Sequence, residues 1–280
     1  MVLRRGTNGD NVKTLQRGLN KLGAMLLVDG DFGKSTEAAV GDARQALNIP
    51  GPSEEADDTL QAAVAAVPDP FPPLTAAGVT FMARQEVCDS ASYRRRYQTP
   101  CWPGSKSGIT IGIGYDCRFV DITQLRADWG DELDAHALGK LCDVVKVVGS
   151  DTLAAQLNSV VVPLNAAMRV FIRRTLPEYL ANVRAAFPHV DELTHSQRTA
   201  LVSLVYNRGA AMKDSDPVRQ ERREMRTIRD LLNARNFAAV PEQFESMKRL
   251  WGVGSDPGLV QRRQQEADLW RSGFSALNLE

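Results

Sequence analysis

Four of the six residues in Pro68-Asp-Pro-Phe-Pro-Pro73 are proline. Each proline ring fixes φ near about −65° and removes a backbone donor, so neither a helix interior nor a central strand runs through such a stretch. Residues 68–74 therefore read as a stiff linker. They divide the 280-residue chain into a short part, 1–67, and a longer part, 75–280. That length suits one small and one medium domain. The composition, 43% hydrophobic and 24% charged, is enough to build a core in each.

The 34 basic residues balance the 34 acidic ones, so the overall charge calls for neither nucleic acid nor an anionic membrane as the main partner. The opening Met-Val-Leu-Arg-Arg-Gly turns polar at once, which predicts synthesis without a secretory leader. No later run reaches the ~18 apolar residues of a membrane span, so no integral membrane segment is expected. Cys88, Cys101, Cys117 and Cys142 are too few and too unevenly spaced for a disulfide scaffold. One bridge among the first three and four reduced thiols both stay open.

In the short part, Val12, Leu15, Leu19 and Leu22 recur at helical spacing and stop at Gly23. A glycine-punctuated turn, Val28-Asp-Gly-Asp-Phe-Gly33, precedes a second helix through Ala39, Val40, Ala43 and Leu47. Ser35 or Thr36 is its expected N-cap, and Asn48 and Pro50 end it. A third helical stretch covers Asp58 to Val67. Leu15-Gln16, Val28-Asp-Gly-Asp-Phe-Gly33 and Thr36-Glu-Ala-Ala-Val40 resemble the three-helix peptidoglycan-binding domain of bacterial and phage lysins. The resemblance implies peptidoglycan as a partner and Asp29, Gly30, Phe32, Gly33 and Thr36 as binding residues. Alternatively, Asp29, Gly30, Phe32 and Gly33 only shape a turn, since glycine permits positive φ and Phe32 fills the small core. The chain departs from the family at Ala43-Arg44 and Gly51-Pro-Ser-Glu-Glu55.

The long part opens with a helical stretch holding Val79, Met82, Ala83, Glu86 and Val87, followed by a basic, aromatic loop, Tyr93 to Tyr97. Gly108-Ile-Thr-Ile-Gly-Ile-Gly-Tyr-Asp116 alternates small and β-branched residues and predicts a β-hairpin strand. Beyond about Thr123 the chain reads as helical. Thr194-x-x-Gln197 fits a capping box at the start of one of those helices. The expected fold class is α+β and mostly α: a three-helix bundle joined to a domain with a small hairpin lobe and a larger helical lobe.

Glycosidic hydrolysis needs an acid for the departing oxygen and a second group to position water on the opposite ring face. Glu86 among Phe81, Met82, Ala83 and Val87 has a setting that favours a protonated carboxyl. Glu86, then Thr110-Ile-Gly-Ile-Gly114, then Gln197 to Gly209, then Gly258 to Trp270 resemble the phage-type lysozymes in order and content. Those enzymes place an Asp shortly before the strand's Thr, where this chain offers only Asp89. The Asp after the strand is similar instead to the activity domain of pesticin-like toxins. The resemblance implies Glu86, Thr110 and Asp116 as catalytic residues and Tyr115, Asn207 and Arg208 as substrate contacts. Alternatively, Asn207, Arg208 and Gly209 are a plain helix end. Arg262 and Arg263 read as buried ion-pair partners, and Tyr93–Tyr97 and Arg219–Arg229 as solvated charged faces.

The implied activity is a muramidase cleaving the β-1,4 bond between N-acetylmuramic acid and N-acetylglucosamine. It needs no cofactor and no metal, and it is expected as a monomer acting in the periplasm or cell wall. Made in the bacterial cytoplasm, it leaves as a phage or prophage endolysin through a holin, or as a secreted antibacterial toxin with an immunity protein. Tyr115-Asp-Cys-Arg-Phe-Val120 also echoes the cell-wall cysteine peptidases of the NlpC type, with Cys117 as nucleophile. That reading lacks their small residue after Cys and a histidine on a glycine-flanked strand. A zinc amidase needs clustered histidines, and His136, His189 and His195 are scattered. A lysozyme-like binding protein without chemistry is the non-enzyme alternative.

Overall fold

The computed structural model describes residues 1–216, 218–251 and 256–277, with side chains up to 274. The last residues of the long part, 278–280, lie outside the described residues. The fold is α+β and mostly α, with two separate two-stranded antiparallel sheets among the described residues. The chain forms two compact units, one of residues 1–72 and 79–174, the other of residues 73–78 and 175–280.

The first unit begins with a bundle of three helices, α1 (Asp10–Lys21), α2 (Lys34–Leu47) and α3 (Asp58–Ala66). Strand β1 (Leu3–Arg4) pairs antiparallel with β2 (Glu55–Ala56), Leu3 opposite Ala56. The apolar stripe of α1 closes on a core of its own with Phe32, Val40, Leu60 and Val64. Neither Ser35 nor Thr36 is the N-cap of α2. Gly33 holds that place with extended backbone and no side-chain bond, and Thr36 is buried inside the helix. Asn48 ends α2 in the left-handed conformation. Asp57 caps α3 by accepting from the Leu60 amide at 2.9 Å.

The same unit continues from the later residues of α4 (Thr75–Val87). Cys88 takes positive φ and breaks the helix. Asp89 then starts α5 (Ser90–Arg96), accepting from the Ser92 amide at 2.6 Å. The basic stretch around Tyr93 is thus a helix rather than a loop, with Tyr93 fully buried and its hydroxyl donating to the Val162 carbonyl at 2.9 Å. Hairpin β3 (Thr110–Ile111) and β4 (Tyr115–Asp116) follows. The predicted hairpin forms, and its chain reverses through Gly112 and Gly114, both at positive φ. A Cβ at Gly112 would lie 2.9 Å from the Trp129 ring, so only glycine lets the turn sit against that side chain. Helices α6 (Ile122–Trp129), α7 (Ala135–Cys142), α8 (Asp151–Gln156) and α9 (Leu164–Val170) complete the unit.

The second unit holds α10 (Leu176–Ala186), α11 (His195–Arg208), α12 (Arg223–Asn233), α13 (Val240–Ser246) and α14 (Pro257–Leu277). The capping box forms as the sequence predicts. Thr194 Oγ1 accepts from the Gln197 amide, and Gln197 Oε1 accepts from the Thr194 amide. Arg262 and Arg263 are buried ion-pair partners. Arg263 meets the fully buried Glu266 at 2.7 Å, and Arg262 meets it at 3.5 Å. The Ser203 hydroxyl donates to the same carboxylate at 2.6 Å, so α11 and α14 share one polar cluster. Burial alone opposes a charge on Glu266 and pushes its pKa up, while the two arginines and Ser203 pull it down. Among the described residues, three of the five arginines in the Arg219–Arg229 run are ion-paired, Arg223 with Glu224, Arg226 with Asp214 and Arg229 with Asp230, while Arg219 donates to the Leu250 carbonyl.

Candidate active site

Thr110 and Asp116 are cross-strand partners in the hairpin, and Ile111 stands opposite Tyr115. Both Thr110 and Asp116 are half-buried. The Thr110 backbone is tied on its other side to Cys101, donating at 2.8 Å and accepting at 3.0 Å. The Asp116 carboxylate is fixed by backbone donors. Oδ1 accepts from the Arg118 amide at 2.9 Å and from the Gly108 amide at 3.0 Å, and Oδ2 accepts from the same Gly108 amide at 3.1 Å. A Cβ at Gly108 would stand 2.6 Å from Oδ1, so the close approach needs glycine there. Asp116 also caps the short 3-10 turn Cys117–Phe119. The result is a rigid carboxylate and a hydroxyl on neighbouring strand positions.

Tyr115 differs from the expectation of a substrate contact. It is 7% exposed, packs edge-to-face on Trp129 at 5.5 Å, and donates its hydroxyl to Asp128 Oδ2 at 2.8 Å. Burial, then the bond to Asp128, pushes its pKa upward. Tyr115 therefore anchors β4 to α6 rather than facing a ligand. The sequence reading missed Asp128, whose other oxygen accepts from Gln124 at 2.8 Å one helical turn earlier. The spacing Gln124-x-x-x-Asp128 on a helix was the available signal.

Glu86 lies at the C-terminal end of α4, half-buried, on a turn whose Met82, Ala83 and Val87 are buried. It belongs to the same compact unit as the hairpin. Asn207 and Arg208, both half-buried, end α11 in the other unit. Gly209 stops that helix with φ +73°. Arg208 donates to the Glu221 carbonyl at 2.6 Å and lies over the Trp251 ring at 5.4 Å. Burial, with the nearby Arg222 and Arg263 charges, brings its pKa down to about 10.

In the bundle, Gly30, Phe32 and Thr36 are interior, Gly33 is half-buried, and Asp29 is the exposed member of the expected binding set. Gln16, 1% exposed, organises the turn. Its amide nitrogen donates to Asp29 Oδ1 at 2.8 Å and to the Asp31 carbonyl at 3.1 Å, and its oxygen accepts from the Gly30 amide at 3.0 Å. The Asp31 amide, then Gln16, hold the Asp29 carboxyl below the usual carboxylate range. The signature residues thus build the turn, with Asp29 as their exposed member.

Cys117 is fully buried, and its thiol is pushed up to about 12, first by burial and then by the adjacent Asp116 charge. A nucleophilic cysteine requires the opposite shift. Among the described residues no group of three or more His, Cys, Asp or Glu is placed to hold a metal ion, and no helix is long and apolar enough to cross a membrane. All four cysteines are free thiols.

Two family models match the chain. The peptidoglycan binding domain matches residues 8–63, and phage lysozyme matches residues 95–266. Glu86 lies N-terminal to the second match. The comparison with curated proteins returns no match. The two matched modules make this a peptidoglycan hydrolase with a peptidoglycan-binding part. With the hairpin, the capped α11 and much of α14 inside a match spanning well over half its length, the chain belongs to the phage lysozyme family.

Proposed function

We propose that the protein is an N-acetylmuramidase that cleaves the β-1,4 bond between N-acetylmuramic acid and N-acetylglucosamine. Residues 75–280 form the catalytic part, and residues 1–67 target it to the wall across the linker 68–74. Glu86 is the general acid: its proton passes to the glycosidic oxygen as the bond to the anomeric carbon breaks. Water delivers its hydroxyl to that carbon and releases its other proton, and Glu86 regains a proton before the next turnover. Asp116 and the Thr110 hydroxyl hold the water or the positive charge that develops on the sugar, and Asn207 and Arg208 contact substrate. The observation that carries this reading is the pairing of Thr110 with a backbone-clamped Asp116 on adjacent strands of a glycine-turned hairpin. A fixed anion beside a hydroxyl suits water positioning better than proton donation.

The biological setting favoured by this reading is a phage or prophage endolysin that reaches the wall through a holin and acts as a monomer. A secreted antibacterial toxin with the same chemistry is the alternative, and an immunity gene beside it would replace the endolysin reading. The test is digestion of purified peptidoglycan by wild type and Glu86→Gln, followed by identification of the new ends. New reducing muramic acid, abolished in Glu86→Gln, is expected. New amino termini, or reducing N-acetylglucosamine, would overturn the proposal.

A further inference from the structure

A groove of about 420 Å³ lies within the first unit, walled on one side by α1 and α2 and on the other by α5 and α9. Leu22, Ala46, Met168 and Ile172 give it an apolar floor. Its mouth carries Lys21, Arg94, Arg169 and Arg173. Arg94 pairs with Asp42 at 3.1 Å, while Arg169 and Arg173 share Glu132 at 2.6 and 3.6 Å. Lys21 Nζ donates to the Ala65 carbonyl at 2.9 Å. Four cations against two acids leave the rim at net +2. The three arginine side chains are 41–55% exposed, so their guanidinium groups are open to a further anion.

The two walls are held together before any ligand arrives. Arg84 donates to the Met25 carbonyl at 3.0 Å. The backbone at Gly23, with φ +86°, comes so near α9 that a Cβ there would lie 3.0 Å from Met168 Cβ. A preformed groove avoids the ordering cost of binding, and its volume falls within the roughly 300–1,000 Å³ of small-ligand sites.

We propose that this groove binds the stem peptide of peptidoglycan, an inference that rests on the peptidoglycan-hydrolase reading and adds a ligand to it. A stem peptide alternates alanine methyl groups with free carboxylates, on glutamate and on its C-terminal residue. The apolar floor accepts the methyls, and guanidinium forks accept carboxylates in pairs. The bare glycan offers a single lactyl carboxylate per muramic acid on a stiff sugar chain, not several carboxylates on one flexible peptide. The groove holds the peptide that hangs from a strand, so the substrate is gripped by the bundle and by α5 and α9 together.

The test titrates the full chain with the soluble tetrapeptide L-Ala–γ-D-Glu–diaminopimelate–D-Ala, and separately measures retention on insoluble glycan stripped of peptides. Ala46 is exposed at the groove, so Ala46→Trp fills it without entering the core. Ala46→Trp and Arg169→Gln, on opposite walls, should each weaken tetrapeptide binding on the order of tenfold or more, as expected for one lost charge-assisted contact or a blocked site. Retention on stripped glycan should stay unchanged. Wild type that does not bind the tetrapeptide overturns the proposal, as does wild-type affinity in both variants or equal competition by dodecanoate. The catalytic reading is scored separately: Glu86→Gln should bind the tetrapeptide like wild type, so its failure to alter cleavage sinks the muramidase alone.

Discussion

Asp116 has a structural role and a proposed catalytic one, which one substitution pair separates. Its carboxylate accepts from the amides of Gly108 and Arg118 and caps the turn that follows. Asp116→Ala leaves both donors without their acceptor. Gly108 is buried, so its amide costs about 1–2 kcal/mol, and the lost cap adds about 1 kcal/mol. The sum, about 2–3 kcal/mol, lowers the melting temperature by about 4–10 °C for a unit of this size. Asp116→Asn keeps one oxygen in place and caps nearly as well, so its melting temperature should fall by no more than about 3 °C, corresponding to under about 1 kcal/mol. If Asp116 holds water or charge during hydrolysis, both variants lose about 10²–10⁴ in rate at a temperature where all remain folded. Calorimetry and release of reducing ends from peptidoglycan, measured on the same preparations, give the two axes. An Asp116→Asn protein with wild-type melting and wild-type rate would refute the reasoning: the carboxylate would be a cap and nothing more.

The remaining expectations concern the thiol, the hairpin glycine and acid stability. Cys117→Ser should keep lytic activity within about twofold, since a buried thiol pushed up to about 12 supplies almost no thiolate at neutral pH; loss of activity with unchanged melting would revive the peptidase reading. Gly112→Ala should cost about 2–3 kcal/mol, combining positive φ with crowding against Trp129, and an unchanged calorimetric melt would show that the hairpin yields there. Asp29, Asp57, Asp89, Asp214 and Glu224 have lowered pKa values in the fold. Their stabilisation is therefore present above the ordinary carboxylate range near about 4 and is lost as pH falls through the lowered values. Glu266, with its pKa raised, acts in the opposite sense. Melting temperature should fall steadily from pH 5 to pH 3, and a rise over that interval would contradict the assignment.

Elements written in a local pattern were legible, and those set by distant packing were not. Thr194-x-x-Gln197 carries its own physics, because both partners lie within one turn, and the capping box forms. The hairpin was legible because glycine spacing fixes where the chain can reverse. The start of α2 was misread because Ser35 and Thr36 are good caps by type, yet Thr36 Oγ1 is used inside, near Gln16 and the Asp31 carbonyl. Helix α5 was hidden by its arginines, although Asp89-x-x-Ser92 offered a capping pattern. Tyr115 was named a substrate contact on resemblance alone, and alternation gives the face of a residue only once the core side is known. The partner that decides it, Asp128, is thirteen residues away.

The bundle shows why a recognised motif and a recognised ligand are different claims. Gly30 needs positive φ at +81°, Phe32 fills the core, and Gln16 ties the Asp29–Gly30 turn from within. Each is constrained by the interior, where a change of one methylene is felt. Side chains that meet a polymer must instead be exposed and charged or polar, and there the fold imposes little on their identity. The motif therefore reports that this turn exists, while the proposed peptide groove draws on residues such as Lys21, Arg94 and Arg169 that no turn requires. Substituting Gln16 should unfold the turn and weaken every ligand alike, whereas substituting Arg169 should weaken the tetrapeptide and leave retention on stripped glycan unchanged. The difference between those two patterns separates residues that make the surface from residues that use it.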